Sequence, residues 1–375
     1  MSPQNLDISI PTLPLTSANN YKFKFVGEGA ANIVFEVVTE PQDENRSIFQ
    51  SEVTFESYYL LRVPKAGTKA HKYVELQEYW ETAVKGLFRP ENLVQQRLIR
   101  LEGEELASRL NRVLEQEEES RRADYRGSRV AAVEYGMLVE DMRKRNPDDL
   151  TLEFKPKWLA QSPNAPASAT RCRNCARELL RYERTKPSDS LDDKSPKPKT
   201  TILCPLNFLA CPTSPPALAD VLAYLATALD PPIRRVETTP PAQYGRLVHW
   251  LRTNDLIPRL RAAQLAHDGD GAGPLGAAAA AREPAAAASL QLAMTLRDCA
   301  CFVRVPADPG APVEAKLGDL DKKNWVAKLE YWQGMETKLI EGRYYEGREA
   351  DGIEVNCQLQ RVKEGVPKKE GRPIA

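Results

Sequence analysis

The stretch Tyr21–Glu40, reading YKFKFVGEGAANIVFEVVTE, constrains the fold more than any other part of the chain. Apolar and polar residues alternate through YKFKFV, small residues follow, and a second apolar run, IVFEVV, comes after them. Alternating runs on either side of a small-residue turn predict a β-hairpin. Gly29, Ala30 and Ala31, with Asn32 closing the loop, leave the backbone N–H groups open to a phosphate oxygen, with no bulky side chain in the way. The G-x-x-x-x-G-K-[ST] pattern is absent, which excludes a P-loop NTPase, and the G-x-G-x-x-G of protein kinases is incomplete. By itself, such a hairpin is more often structural than ligand-binding.

The elements that follow give the architecture. Tyr58–Val63 reads as a third strand closed by Pro64, and Tyr73–Val84 and Glu91–Leu101 read as helices. In Glu104–Glu119, Leu106, Leu110, Val113 and Leu114 fall at helical spacing inside a charged frame, as on a helix with one solvated face. Val130–Val139 and Leu150–Lys155 read as a strand pair joined by a turn at Asn146–Asp149. Ala217–Leu229 and Tyr244–Ala266 look helical, Cys299–Val305 and Ala315–Leu320 look like short strands, and a helix carrying Tyr331, Trp332, Met335 and Leu339 comes last. Residues 185–200 and 269–288 read as flexible insertions, one rich in Pro, Ser and Lys and the other in Gly and Ala. This order predicts an α+β, two-lobed kinase-like fold. Its N-lobe, residues 1–141, would be an antiparallel nucleotide-binding sheet with charged helices. Its C-lobe, residues 142–375, would be larger, mainly helical and provided with short late strands.

Composition narrows the function. With 42% hydrophobic residues among 375, the chain has enough apolar side chains for a core, which excludes wholesale disorder. Lys and Arg number 52, as do Asp and Glu, so a duplex nucleic-acid partner is not expected. No apolar run is long enough for a membrane span and the first 20 residues do not read as a signal peptide. Seven cysteines without a secretion signal read as reduced thiols, in a nuclear or cytoplasmic protein rather than a secreted one, and we expect a monomer.

Four groups of residues have chemical potential. Arg62, in LLRVPK, has a guanidinium able to clamp phosphates bidentately. In Glu153-Phe154-Lys155-Pro156-Lys157-Trp158, two lysines flank a proline at a strand end. Residues two apart on a strand share a face, so Lys155 and Lys157 can converge on one anion. Asp298 opens one late strand and Asp319 closes the next, and phosphoryl transfer needs one carboxylate to orient the attacking hydroxyl and another to hold Mg²⁺. Either acid taken singly is more often a turn-former. Cys172 and Cys175 form a C-x-x-C, but no second pair exists and the three histidines lack ligand spacing. Cys204 and Cys211 complete a four-sulfur set only if the fold brings them near, so zinc is not expected.

Taken together, GEGAANIVF, LLRVPK, YGMLVEDM, LEFKPKW, CRNCA, CPLNF, TLRDCACFVRV, GDLDKK and LEYW resemble, in order, the inositol-pentakisphosphate 2-kinase family in its fungal form, over about Tyr21 to Tyr345. The resemblance implies transfer of the ATP γ-phosphoryl to the 2-hydroxyl of inositol 1,3,4,5,6-pentakisphosphate, giving the hexakisphosphate (phytate), with Mg²⁺ as cofactor. It implies that Asp298 orients the 2-hydroxyl and that Asp319 ligates Mg²⁺. Lys155, Lys157, Arg181, Lys323 and Tyr331 would contact substrate. Gly29, Ala30, Ala31, Asn32, Arg62, Glu140, Met142 and Glu153 would line the nucleotide site. The N-lobe arginine that reaches substrate matches Arg122, Arg126 or Arg129, with Arg126 preferred. A family arginine falls on Ala327, beside Lys328, and a substrate-contacting Asn-Asn-Leu-Arg segment has no clear equivalent in Asp230–Tyr244. The alternative is an inactive kinase-like scaffold that binds inositol polyphosphate. Another small-molecule or protein kinase is disfavoured because neither H-R-D-x-x-x-x-N nor D-F-G occurs.

Overall fold

The computed structural model describes residues 21–39, 59–68, 71–101, 103–185, 200–230, 242–268, 273–280, 284–347 and 353–360. The chain divides into two compact units, Met1–Arg143 and Lys144–Ala375. Helices and antiparallel sheets are mixed in an α+β fold.

In the first unit, β1 (Tyr21–Glu28) and β2 (Asn32–Thr39) form the predicted hairpin, with a register shift between Phe25 and Gly27. They join β3 (Tyr59–Pro64), β4 (Gln96–Arg100) and β5 (Tyr135–Glu140) in a five-stranded antiparallel sheet of order β1-β2-β3-β5-β4. The sheet is covered on both faces. On one face, Ile33, Phe35, Leu61, Val63, Ile99 and Leu138 pack against Leu106, Leu110 and Leu114 of α2 (Gly103–Gln116). On the other, Leu98 and Met137 pack against Tyr73 and Leu76 of α1 (Tyr73–Tyr79). This double burial explains the misreading of Glu91–Leu101 as a helix. Adjacent Leu98 and Ile99 face opposite cores, which blurs the two-residue alternation of a half-buried strand. The segment is one 3₁₀ turn, Pro90–Asn92, followed by β4.

The second unit is built on a four-stranded antiparallel sheet of order β10-β9-β6-β8, from β6 (Leu150–Phe154), β8 (Leu229–Asp230), β9 (Ala300–Val305) and β10 (Glu314–Gly318). β7 (Thr200–Ile202) and β11 (Ile353–Val355) form a separate parallel pair. The helices are α3 (Arg173–Thr185), α4 (Asn207–Ala210), α5 (Pro215–Leu225), α6 (Ala242–Thr253), α7 (Leu256–Ala266), α8 (Gly273–Ala280), α9 (Pro284–Leu296) and α10 (Trp325–Glu341). Among the described residues, no helix is long and apolar enough to cross a membrane.

Three expectations need correction. β5 and β6 do not pair with each other: β5 lies between β3 and β4, and β6 between β9 and β8. Sequence neighbours pair only about two times in three, and here they belong to different units. The stretch Tyr244–Ala266 is two helices, α6 and α7, separated where the Asn254 side chain accepts from the Ile257 N–H. The Ala-rich insertion is helical in its described residues, as α8 and the start of α9, because alanine has the highest intrinsic helix propensity. Most of 185–200, and the 231–241 part of the segment searched for substrate contacts, lie outside the described residues.

Candidate active site

Strand register in the second unit brings the acids and lysines together. Gly318 pairs with Ala300, so Asp319, just past the end of β10, lies level with the entry to β9, where Asp298 stands. Phe154 pairs with Cys301, so Lys155 leaves β6 at the same end of the sheet. Residues far apart in sequence thus meet at three neighbouring strand ends. The Lys155 Nζ donates to Asp319 Oδ2 at 2.8 Å and to the Asp298 carbonyl at 2.9 Å, with Asp298 Oδ1 at 3.5 Å. On Asp298, the other oxygen is 2.8 Å from Lys323 Nζ, and Lys157 Nζ approaches Oδ1 to 3.6 Å. Three ammonium groups surround two carboxylates, leaving one positive charge in excess.

The two lysines of the K-P-K segment converge, though not by strand alternation. β6 ends at Phe154, and Lys157 has φ 58°, a left-handed backbone that turns its side chain back toward Asp298. Asp319 has φ 54°. Left-handed backbone in residues other than glycine costs free energy and concentrates at functional sites. Buried polar side chains hold this backbone in place. Gln264, fully buried, donates to the carbonyls of Lys157 and Leu296 and accepts from the Leu159 N–H. Gln291 donates to the Lys323 carbonyl, and the Thr295 hydroxyl donates to that of Asp321 at 3.1 Å. Behind the turn, the guanidinium carbons of Arg297 and Arg173 lie 3.7 and 4.2 Å from the Trp158 ring centre. Arg297 pairs with Asp268 and Arg173 with Glu336, both buried. Sequence reading missed these supports, because a lone Gln or Thr in a helix carries no motif.

The electrostatics follow from this crowding. Burial tends to raise the Asp298 pKa, but Lys323, Lys155 and Lys157 overcome it and bring the carboxyl down to about 2. Burial would lower the Lys155 pKa, yet Asp319 and Asp298 raise it. Lys157 goes the other way. Burial lowers its pKa, Asp298 opposes that, and the neighbouring positive charges of Lys155 and Arg177 add to the lowering. Arg177, on α3, is thus a cation of this neighbourhood that sequence reading did not name. Glu153 has its pKa raised, first by desolvation and then by Asp319.

The other expected residues are placed as follows. Arg181 is exposed and lies 3.6 Å from Glu178, and Tyr331 is exposed on α10. In the first unit, the Gly29 N–H donates to the Asn32 carbonyl and tightens the hairpin turn. Ala30 is exposed, while the Ala31 carbonyl accepts from the Lys65 N–H. The Asn32 amide, with its oxygen toward Arg62, donates to the Tyr73 hydroxyl, and the Arg62 guanidinium lies 5.8 Å from that ring. Glu140 ends β5, with its carboxylate accepting from the Gln95 N–H, and Met142 is buried. Arg126 is exposed and donates to the carbonyls of Glu119 and Arg121.

Three lysines thus surround two carboxylates at one end of the β10-β9-β6 strands. The sequence profile of the inositol-pentakisphosphate 2-kinase family matches residues 25–338, and the chain belongs to that family. It is also similar to an inositol-pentakisphosphate 2-kinase of the yeast Yarrowia lipolytica, with 33% identity over 203 residues. That match spans 54% of this chain and 56% of the relative, little more than half of each.

Proposed function

We propose that the chain transfers the γ-phosphoryl of ATP to the 2-hydroxyl of inositol 1,3,4,5,6-pentakisphosphate, producing the hexakisphosphate. One observation carries this reading: Asp298 and Asp319 flank a single lysine nitrogen, with two more lysines within reach, in a member of this family. Each substrate phosphate carries about −1.5 to −2 charges near neutrality, so five total roughly −10. Such a ligand needs clustered cations. Lys155, Lys157 and Lys323 supply them, with Arg177, Arg181 and Tyr331 as further contacts from α3 and α10. These lysines pair with the two aspartates. Substrate phosphates compete for those lysines and release the carboxylates for chemistry.

Asp298 has a low pKa and is therefore ionised at neutral pH, able to accept or orient the proton of the attacking hydroxyl. Until substrate phosphates take up these lysines, Lys323 and Lys155 hold that carboxylate in one orientation. Asp319 offers an exposed oxygen donor of the kind Mg²⁺ prefers, and Glu153 is a second carboxylate near it. When bound, the metal would neutralise charge on the nucleotide phosphates. The first unit would hold the nucleotide through the backbone of Gly29–Asn32 and through Arg62, Glu140 and Met142, the division of labour of a two-lobed kinase-like fold.

The test is incubation of purified protein with ATP, Mg²⁺ and each inositol pentakisphosphate isomer, with products separated by anion-exchange chromatography. Hexakisphosphate formed from the 1,3,4,5,6 isomer is the expected result. Tight inositol phosphate binding without product would make the protein a scaffold, and phosphorylation of other acceptors alone would overturn the assignment.

A further inference from the structure

Three residues of the candidate site leave the chain beside one buried ring. Lys157 directly precedes Trp158, Asp298 directly follows Arg297, and Lys323 stands two residues before Trp325. Trp158 packs in one apolar cluster with Leu290 and Met294 of α9 and with Trp325, Leu329 and Trp332 of α10. Its ring is also flanked by two guanidinium carbons, at 3.7 Å from the ring centre for Arg297 and 4.2 Å for Arg173. Two guanidinium groups so near the centre have no room on the same face of an indole, so each covers its own face.

Each arginine has its own buried acid. Arg297 Nη2 lies 2.6 Å from Asp268 Oδ1, and Arg173 Nε donates to Glu336 at 2.7 Å. Glu336 is fully buried and also accepts from the hydroxyls of Ser162 and Tyr345. Stability alone does not call for such an arrangement, because apolar side chains of similar volume often replace a buried ion pair without loss. Arg297 is costly in a second way, since its Nε is buried with no hydrogen-bond partner among the described residues. What the arrangement supplies is orientation. A guanidinium is flat and stacks on an aromatic face in a defined plane, and the attraction strengthens when both groups are desolvated. The Arg297 N–H donates to the Ala293 carbonyl and the Asp298 N–H to the Thr295 carbonyl, so both residues continue the last turn of α9. Fixing Arg297 therefore fixes the backbone of Asp298, while fixing the Trp158 ring fixes the exit from the left-handed turn at Lys157.

We propose that Arg297, Trp158 and Arg173 are positioning residues. Their cation–π sandwich, clamped by Asp268 and Glu336, sets Lys157 against Asp298, with 3.6 Å between nitrogen and carboxylate. The sandwich acts through Lys157 and Asp298 and not on substrate. Its effect on turnover rests on the kinase reading above, whereas its effect on the geometry of the turn does not.

The test removes one clamp without stranding a charge. In the full chain, the double variant Asp268→Val with Arg297→Met replaces the ion pair by apolar residues of similar total volume. The expected result is a melting temperature equal to or above that of the wild type, a kcat for hexakisphosphate formation lower by about tenfold to a hundredfold, and an unchanged KM for ATP. Arg297→Lys keeps the charge and loses the flat face, and Trp158→Phe keeps an aromatic face and loses area. Both should show the same split between kcat and KM with smaller falls in kcat, and they carry the same measurements if the double variant does not fold. Crystal structures of the wild type and the variants give a readout that needs no activity: Lys157 should leave its left-handed backbone, or its Nζ should withdraw from Asp298. Full turnover in a folded variant, a fall in kcat that vanishes at temperatures where the variant is fully folded, or an unchanged Lys157–Asp298 arrangement would overturn the proposal. An inactive wild type would defeat the kinase reading instead, and the crystal structures would still decide the positioning role.

Discussion

In the first unit, the carboxylate of Glu28 lies 2.7 Å from Lys65 Nζ and 2.8 Å from Arg121 Nε, and Arg121 also pairs with Glu118. In the second, Asp298 and Asp319 meet Lys155, Lys157 and Lys323 at similar distances. The side chains of Glu28, Lys65 and Arg121 are 3%, 4% and 0% exposed, while those of Asp298, Asp319 and Lys155 are 49%, 43% and 34% exposed. Including Glu118, the buried group balances its charges, and Arg121 adds bonds to the Tyr125 and Ser128 carbonyls. Such a closed network holds the β1 end to the loop after α2. The half-exposed group keeps an excess cation and stays open to solvent. The same side-chain chemistry is thus structural where it is buried and neutral and, on the proposed reading, binds ligand where it is open and unbalanced.

The sharpest way to break this contrast is at the carboxylates. Asp298→Ala and Asp319→Ala should each lower turnover by about a hundredfold or more, in line with the loss of a general base or of a metal ligand, while circular dichroism stays native. Near-normal turnover in either variant would remove that residue from the chemistry. Glu28→Ala should act oppositely, costing about 3–5 kcal/mol in urea unfolding because buried Lys65 loses its carboxylate and buried Arg121 keeps only Glu118. Acid should act in the same direction. The Glu28 carboxyl is held below its usual range because Arg121 and Lys65 outweigh burial, so its contribution to stability is present above the ordinary Glu value and is lost as pH falls through the folded one.

Lys155→Ala should weaken inositol phosphate binding by about 1.5–3 kcal/mol, the worth of a charge-assisted hydrogen bond, and leave ATP binding and the melting temperature nearly unchanged. Equal losses for both ligands in calorimetry would refute its role as a substrate residue. Gln264→Leu strands buried backbone groups and should cost about 1–3 kcal/mol of stability, with inositol phosphate affinity falling and ATP affinity retained. The smallest effect concerns protons. Because the Lys157 pKa is lowered in the free protein, bound phosphate should raise it, and binding at alkaline pH should take up protons. Calorimetry in buffers of differing ionisation enthalpy should detect this uptake, and Lys157→Met should abolish it.

Much of this was legible in the residues themselves. The hairpin, the α2 stripe of Leu106, Leu110 and Leu114, and the β9 and β10 strands show in periodicity, because each buries a regular face. β4 was hidden because both of its faces are buried. The charges of Lys155, Lys157, Asp298 and Asp319 were visible from residue type, but the left-handed turn at Lys157 was not, since it depends on Gln264 more than a hundred residues away.

Local order alone decided which segments form strands and helices and which side chains can carry charge, accept a proton or ligate a metal, because propensity and ionisation belong to residues and their neighbours. The fold decided which of them meet. Antiparallel register set Lys155, Asp298 and Asp319 at one sheet edge, and the parallel β7–β11 ribbon set Cys357, rather than Cys211, beside Cys204. Pairing between distant strands is chosen by the burial of whole faces, and no local stretch of sequence contains that information.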